Sequence, residues 1–402
     1  MFKRAITNTI ISRLSEKRKF IQIILGPRQV GKSTAIRQAT KELPYPNVYA
    51  LADLPIPPDH EFIAQNWNEA RKQTKDGQKV ILVLDEIQKI EGWSNIVKRF
   101  WDEDTHAGRN IQVVLLGSSA LMIQKKLPES LAGRFEIIRF THWSYVECHK
   151  AFGCNLEDYL FYGGYPGGYE LINEEKRWKQ FVTDSLVETA ITRDIVFLAD
   201  VQKPVLLRKL LYLGCEYGGQ ILSYGKILGD LNDAGSKLTL MNYQKYLEAA
   251  FLMGGLQAWK GSGILRQKSP PKWMPLNTAL MTALSAKTRK EMMNDKKIYG
   301  RLVEVAIGAY LYNQALVNGY EIYYWREGDI EVDFVVRYGE KLLGIEVKTG
   351  FEHSGKALDI FKKRYPKAQT LLVGEYGINV EKFLKTPVEE YFTALKLSAN
   401  RL

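Results

Sequence analysis

Apolar and polar positions along the chain follow two rhythms, and the change between them divides the molecule. Between residues 19 and about 145, short apolar runs alternate with helical patterns. FIQIIL, VILVLD and IQVVLLG predict strands buried on both faces, as in a parallel α/β sheet. Ahead of them, MFKRAITNTIISRLSEKRK predicts an amphipathic helix. It has no continuous apolar core and no small-residue cleavage site, so it is not read as a signal peptide. From about 150 to 215 the pattern is helical, interrupted by the tight connection YGGYPGGY at residues 162–169.

Residues 216–262 predict short helical segments around ILSYGKILGDLN and TLMNYQKYLEAAFLMGGL, and SGILRQKSPPKWMP predicts a linker or extended strand. YGRLVEVAIGAYLYNQALVNG then predicts a long helix, followed by strands EIYYW, EVDFVV and LLGIEVK. A helix near residues 357–363 and the strand TLLVG complete an α-β-β-β-α-β order.

Composition narrows the classes. With 402 residues the chain has room for two or three cores, and its 46% hydrophobic and 25% charged residues are those of a globular protein. No run of 18 apolar residues occurs, which excludes a membrane-spanning helix on sequence grounds. Cys148, Cys154 and Cys215 form no CxxC and leave one cysteine over, which fits a reducing cytoplasm. The net charge of +11 favours a polyanionic partner over a lipid surface, since no basic block adjoins a lipid-inserting helix.

The sharpest chemical signal is Gly26-Pro27-Arg28-Gln29-Val30-Gly31-Lys32-Ser33, which satisfies GxxxxGK[ST] between a predicted strand and a predicted helix. Backbone amides of such a loop converge on phosphates, with the positive end of the helix behind them. Lys32 is expected to reach the β and γ phosphates of ATP, Ser33 to ligate Mg²⁺, and Thr34 to assist near the α phosphate. The strand VILVLDEIQK delivers Asp85 and Glu86 at its carboxyl end. Asp85 is expected in the Mg²⁺ shell and Glu86 as the group that polarises the attacking water. IQVVLLGSSA brings Ser118 and Ser119 to a third strand end, with Ser118 placed to sense the γ-phosphate or to hydrogen-bond the attacking water. Arg134, in SLAGRFEIIRF, is a candidate phosphate-reaching arginine, acting within one subunit or across a boundary.

Taken in order, GPRQVGKST, LVLDEIQK, LLGSSALMI, SLAGRFEI and YLFYGGYPGGY resemble the archaeal-type AAA+ P-loop ATPases of bacteria and archaea. Those proteins carry a C-terminal domain of unknown function related to the PD-(D/E)xK nucleases. The resemblance covers nearly the whole chain. It implies an AAA+ core over residues 1–150, a helical lid over 151–215, a winged-helix segment over 216–272 and a restriction-endonuclease-like domain over 273–402. The chain departs from it in LLGSS, where a threonine before the glycine is common.

In the winged-helix reading, a helix over residues 224–232 precedes a second one beginning near Thr239 and capped by Ser236 or Thr239. Its exposed set is expected to include Lys237, Asn242, Gln244 and Lys245, with Lys287, Arg289 and Lys290 as further phosphate contacts. DNA is the expected partner, and a homo-oligomer is compatible with a trans-acting Arg134. The same helices could instead serve only as an internal packing module.

In IEVDFVVRYGEKLLGIEVK, strand alternation puts Glu346 and Lys348 on one face, with Asp333 opposite and Glu304 on the preceding helix. Glu304, Asp333 and Glu346 are expected to bind Mg²⁺ or Mn²⁺, with Lys348 as the catalytic lysine of a PD-(D/E)xK centre. The alternative is a surface ion pair on an ordinary hairpin. His142, Cys148, His149 and Cys154 lie within thirteen residues, but their spacing matches no common structural zinc pattern. Two rival readings remain. One is a signalling or defence-type switch whose C-terminal domain binds a protein partner and cuts nothing; the other is a nucleic-acid binder that uses ATP only to assemble.

Overall fold

In the computed structural model, residues 1–55, 58–74, 77–118, 131–199, 201–230, 235–261, 269–350 and 355–392 are described. Ser119, most of LLGSSALMI and the end of the expected helix over 224–232 lie outside these residues. The chain packs as two compact units. One is Met1–Phe140 with Phe197–Ala199, and the other is Thr141–Val196 with Asp200–Leu402. The first ends ten residues before the expected boundary at 150, and the three divisions expected beyond it fall within the second apart from Phe197–Ala199.

The first unit is built on five strands: β1 (Ile21–Leu25), β2 (Asn47–Leu51), β3 (Val80–Asp85), β4 (Ile111–Gly117) and β5 (Phe135–Arg139). All pair in parallel in the order β2-β3-β4-β1-β5. The three expected strands are its inner ones, buried along their whole length because helices cover both faces. Ile21, Ile23, Leu25, Leu82, Leu84, Val113 and Leu115 share one face. They pack against Trp67 of α3 (His60–Lys72) and Trp93, Phe100 and Trp101 of α4 (Trp93–His106). The expected N-terminal helix is α1 (Ile6–Ser15), which packs on α2 (Lys32–Glu42).

The second unit carries a six-stranded sheet in the order β11-β10-β9-β8-β6-β7. Its strands are β6 (Met253–Ala258), β7 (Lys272–Pro275), β8 (Glu321–Glu327), β9 (Ile330–Tyr338), β10 (Lys341–Lys348) and β11 (Gln369–Gly374). The helix Lys296–Asn318, β8 to β10, the helix Lys356–Arg364 and β11 realise the expected α-β-β-β-α-β order.

One expectation is corrected. MGGL, read as the end of a helical segment, opens strand β6. The helix before it stops at Ala249. Phe251 then takes a left-handed backbone (φ 60°), and Gly254 and Gly255 follow, a poor helical sequence. β6 pairs antiparallel with β7 and parallel with β8, so the hairpin after the expected winged-helix pair belongs to the C-terminal sheet.

Candidate functional site

The loop between β1 and α2 follows from two backbone demands. Phe140 crosses so close that a Cβ at position 26 would lie 2.2 Å from its carbonyl oxygen, and Gly31 adopts φ 89° to turn into the helix. Lys32, almost fully buried, donates from Nζ to the carbonyl oxygens of Gly26 (2.8 Å) and Pro27 (2.6 Å). Its ammonium is thus held over the mouth of its own loop. Arg4 reaches the same loop from the N-terminal segment, donating to the Val30 carbonyl at 3.3 Å. Nothing in the sequence flagged Arg4.

Sheet order brings the acidic pair to this loop. β4 lies between β1 and β3, and its Gly117 is level with Leu25, so the buried Ser118 stands between the loop and Asp85. Ser33 Oγ donates to Asp85 Oδ2 at 2.8 Å, and the Tyr49 hydroxyl of β2 donates to the same oxygen. Burial and the Asp85 hydrogen bond push the Tyr49 phenol up to about 12. The Arg37 guanidinium lies 4.9 Å from the ring centroid of Tyr49. Tyr49 was missed because β2 carries no strong apolar alternation; only its place beside β3 brings it here. Glu86 has a left-handed backbone (φ 56°, ψ 33°), uncommon for a residue with a side chain, and accepts from Gln88 Nε2 at 2.6 Å. A hydroxyl and a carboxylate meeting at a phosphate-type loop are hard oxygen donors of the kind Mg²⁺ takes.

Arg134 is elsewhere. It precedes β5, whose Phe135 pairs with Ile21 at the start of β1, whereas the loop follows Leu25 at the other end. A strand of this length separates them, about 16 Å at roughly 3.3 Å per residue. Its guanidinium binds Asp102 of α4 through two bonds of 2.8 and 3.0 Å. Action on the loop of its own subunit is therefore ruled out by the sheet.

Residues 18–149 match the AAA domain. Two domains of unknown function match the rest, DUF8612 over residues 154–291 and DUF4143 over 299–396. An uncharacterized protein of Haemophilus influenzae is 23% identical over 390 residues, covering 89% of this chain and 90% of that one. An uncharacterized protein of Mycobacterium tuberculosis is 24% identical over 337 residues, covering 82% and 70%. Among solved structures, the Orc1 protein of Aeropyrum pernix in complex with DNA is similar at a TM-score of 0.33 and 13% identity. That likeness covers 70% of this chain and 91% of that one. The AAA-type segment contains the loop, Asp85, Glu86, Ser118 and Arg134, and the α/β sheet that holds them is parallel throughout.

In the second unit, Glu304, Asp333, Glu346 and Lys348 line one cavity of about 560 Å³. The expected trio of metal ligands is nonetheless not arranged around one cation. Lys272 Nζ, on a fully buried side chain, sits among Glu304 (2.6 Å), Glu331 (3.0 Å) and Asp333 (3.3 Å). Asp333 Oδ2 accepts from the Val347 amide at 2.8 Å, and Glu346 turns to Lys348 at 3.2 Å. Among the described residues, no group of three or more His, Cys, Asp or Glu is placed to hold a metal ion.

Burial pushes the Glu304 carboxyl up to about 7, although Lys272 pulls it down. Burial opposes the charge on Lys272, but the carboxylates of Glu304, Asp333 and Glu331 outweigh it and raise the ammonium. Glu346 is raised by burial, against the pull of Lys348. The surface-ion-pair alternative also fails for Glu346, which is only 3% exposed.

The expected DNA-facing set divides. Ser236 caps its helix by accepting from the Thr239 amide, and Lys237 and Lys245 are exposed. Gln244 points inward instead and donates to Glu248 at 3.2 Å; Asn242 is half-buried. The helical period places position 244 on the packed face, one step from the exposed stripe. Lys287 and Lys290 are exposed, but Arg289 is held by Asp158 at 2.7 Å. His142 bonds the Phe251 carbonyl and Asn277, while His149 bonds the Cys154 carbonyl. No described helix is long and apolar enough to cross a membrane.

Proposed function

We propose that the protein binds and hydrolyses ATP at residues 26–34 and uses the nucleotide state to govern how its second unit engages DNA. The observation that carries this reading is the meeting of Lys32, Ser33 and Asp85 at the mouth of one glycine-shaped loop. Lys32 exchanges its two loop carbonyls for β and γ phosphate oxygens. Ser33 and Asp85 would hold Mg²⁺, which when bound neutralises charge on the transferred phosphoryl group. Tyr49 keeps the Asp85 carboxylate oriented. Glu86 aligns and polarises the attacking water once its carboxylate leaves Gln88, and Ser118 reports on the γ phosphate. Arg134 serves a neighbouring copy if it serves at all, since its own loop lies at the opposite, carboxyl end of the parallel strands.

The exposed lysines 237, 245, 287 and 290 and the net charge of +11 support DNA as the partner. The reading of the second unit as nuclease-like rests on its element order and on the Asp333, Glu346 and Lys348 set. Lys272 amid the carboxylates favours a form that binds without cutting. This is also the observation that keeps the protein-partner switch as a second reading.

ATP turnover measured with and without duplex DNA tests the proposal, using Lys32→Ala and Glu86→Gln as controls. Turnover that DNA stimulates, and that both variants lose, is expected. Turnover indifferent to DNA at low salt would remove DNA from the proposal and leave the protein-partner switch. Absence of any magnesium–nucleotide affinity would end both.

A further inference from the structure

We propose that Lys272 is a resident cation, whose ammonium takes the place a divalent ion would need, so that the cavity beside Glu304 and Asp333 does not load Mg²⁺ or Mn²⁺. The inference concerns the second unit alone and does not rest on nucleotide hydrolysis.

Three observations carry it. Lys272 lies on β7, at the opposite edge of the sheet order from β10, yet its fully buried side chain reaches three carboxylates on a helix and on β9. An ammonium has three protons, and Lys272 Nζ donates to Glu331 Oε1 (3.0 Å), Asp333 Oδ1 (3.3 Å) and the Asp333 carbonyl (3.3 Å), with Glu304 Oε1 in ion-pair contact at 2.6 Å. The oxygens a metal would draw inward are therefore engaged: Asp333 Oδ1 by Lys272 and Oδ2 by the Val347 amide. Glu346, the third expected ligand, is paired with Lys348 at 3.2 Å and is not among the carboxylates that surround Lys272.

Charge closes the argument. Lys272 brings a fixed positive charge to the carboxylates of Glu304, Glu331 and Asp333. Adding a metal to the intact cavity would set it within a few ångströms of a buried ammonium, a like-charge contact with little solvent to screen it. Metal-dependent cleavage of a phosphodiester is accordingly not an activity of this cavity as built.

The test is Mn²⁺ binding to the nucleotide-free, full-length protein, followed by the electron paramagnetic resonance signal of free Mn²⁺. Wild type and Glu346→Gln should bind the same amount of Mn²⁺. Lys272→Met should gain one further site at least tenfold tighter than anything wild type shows in this cavity. Lys272→Met with Asp333→Asn should lose it. Mn²⁺ should also raise the melting temperature of Lys272→Met while leaving that of wild type unchanged.

A wild-type site that disappears in Glu346→Gln overturns the proposal, and so does a folded Lys272→Met protein that gains no Mn²⁺. If Lys272→Met fails to fold, the comparison of wild type with Glu346→Gln still decides. Equal binding supports the resident cation, and a difference refutes it. Either result leaves nucleotide binding at residues 26–34 untouched.

Discussion

Ser33 Oγ donates to Asp85 Oδ2 across 2.8 Å, tying the first turn of the helix after the glycine loop to the end of a strand two places away in the sheet. The bond joins a hydroxyl and a carboxylate that chain order separates by 52 residues. It makes the loop and the acidic strand one site.

Removing the ammonium or the hydroxyl should therefore act differently. Lys32→Ala should loosen nucleotide binding about 10- to 150-fold, the worth of charge-assisted bonds of about 1.5–3 kcal/mol. Ser33→Ala should weaken binding mainly when Mg²⁺ is present. Titration of a fluorescent ATP analogue with and without Mg²⁺ separates the two. A Ser33→Ala defect that is the same without the cation would count against Ser33 as a ligand.

Tyr49→Phe should leave the fold intact and weaken Mg²⁺-dependent nucleotide binding several-fold, because Asp85 loses one of its two side-chain donors. The phenol, at about 12 in the folded chain against an ordinary 10, stays a donor across the neutral range. Its contribution to stability is full below pH 10 and fades as pH rises from 10 through 12, where the unfolded chain has already lost that proton. Alkaline melting curves of wild type should fall more steeply in that window than those of Tyr49→Phe.

Arg134→Ala should cost about 0–1 kcal/mol of stability, since both partners of the Arg134–Asp102 pair are one third exposed. Its effect on turnover should appear only where copies meet. If Arg134 serves a neighbour, mixing Arg134→Ala with Lys32→Ala subunits should restore part of the activity. Turnover per chain that is independent of concentration, and unchanged in Arg134→Ala, would remove this arginine from the reaction.

Lys272→Ala should destabilise the second unit by about 3–5 kcal/mol, because it leaves buried carboxylates without their counter-ion. Glu304 sets a pH signature. Burial first of all raises its carboxyl to about 7 from the ordinary 4.5, so its stabilising contribution is complete below pH 4.5 and is lost as pH rises through 7. Melting temperatures between pH 5 and 8 should decline less in Glu304→Gln than in wild type. Parallel declines would show that the group does not titrate there.

Much of the site was legible because its signals are local. GxxxxGK[ST] between a strand and a helix names the loop, and an Asp-Glu pair at the end of VILVLD names its partner. The Glu346 and Lys348 alternation needs only the period of a strand. Arg134 was harder, because a short motif cannot say at which end of the parallel strands it will stand. Gln244 was misjudged by one helical position. MGGL was misread because an apolar run beside a helix looks like its continuation until the left-handed turn at Phe251 and the pairing with β7 and β8 are known.

By itself the sequence determined which segments become buried strands, where glycine must turn the chain, and which residue types stand ready at strand ends. Those are properties of neighbours along the chain, set by side-chain period and backbone freedom. The tertiary structure decided which of them meet. Strand order put Tyr49 on Asp85, and the shared direction of β1 and β5 put Arg134 at the strand end away from its own loop. The folding of a six-stranded sheet brought Lys272 to Asp333 across 61 residues, filling with an ammonium the place where the local pattern alone suggested a metal.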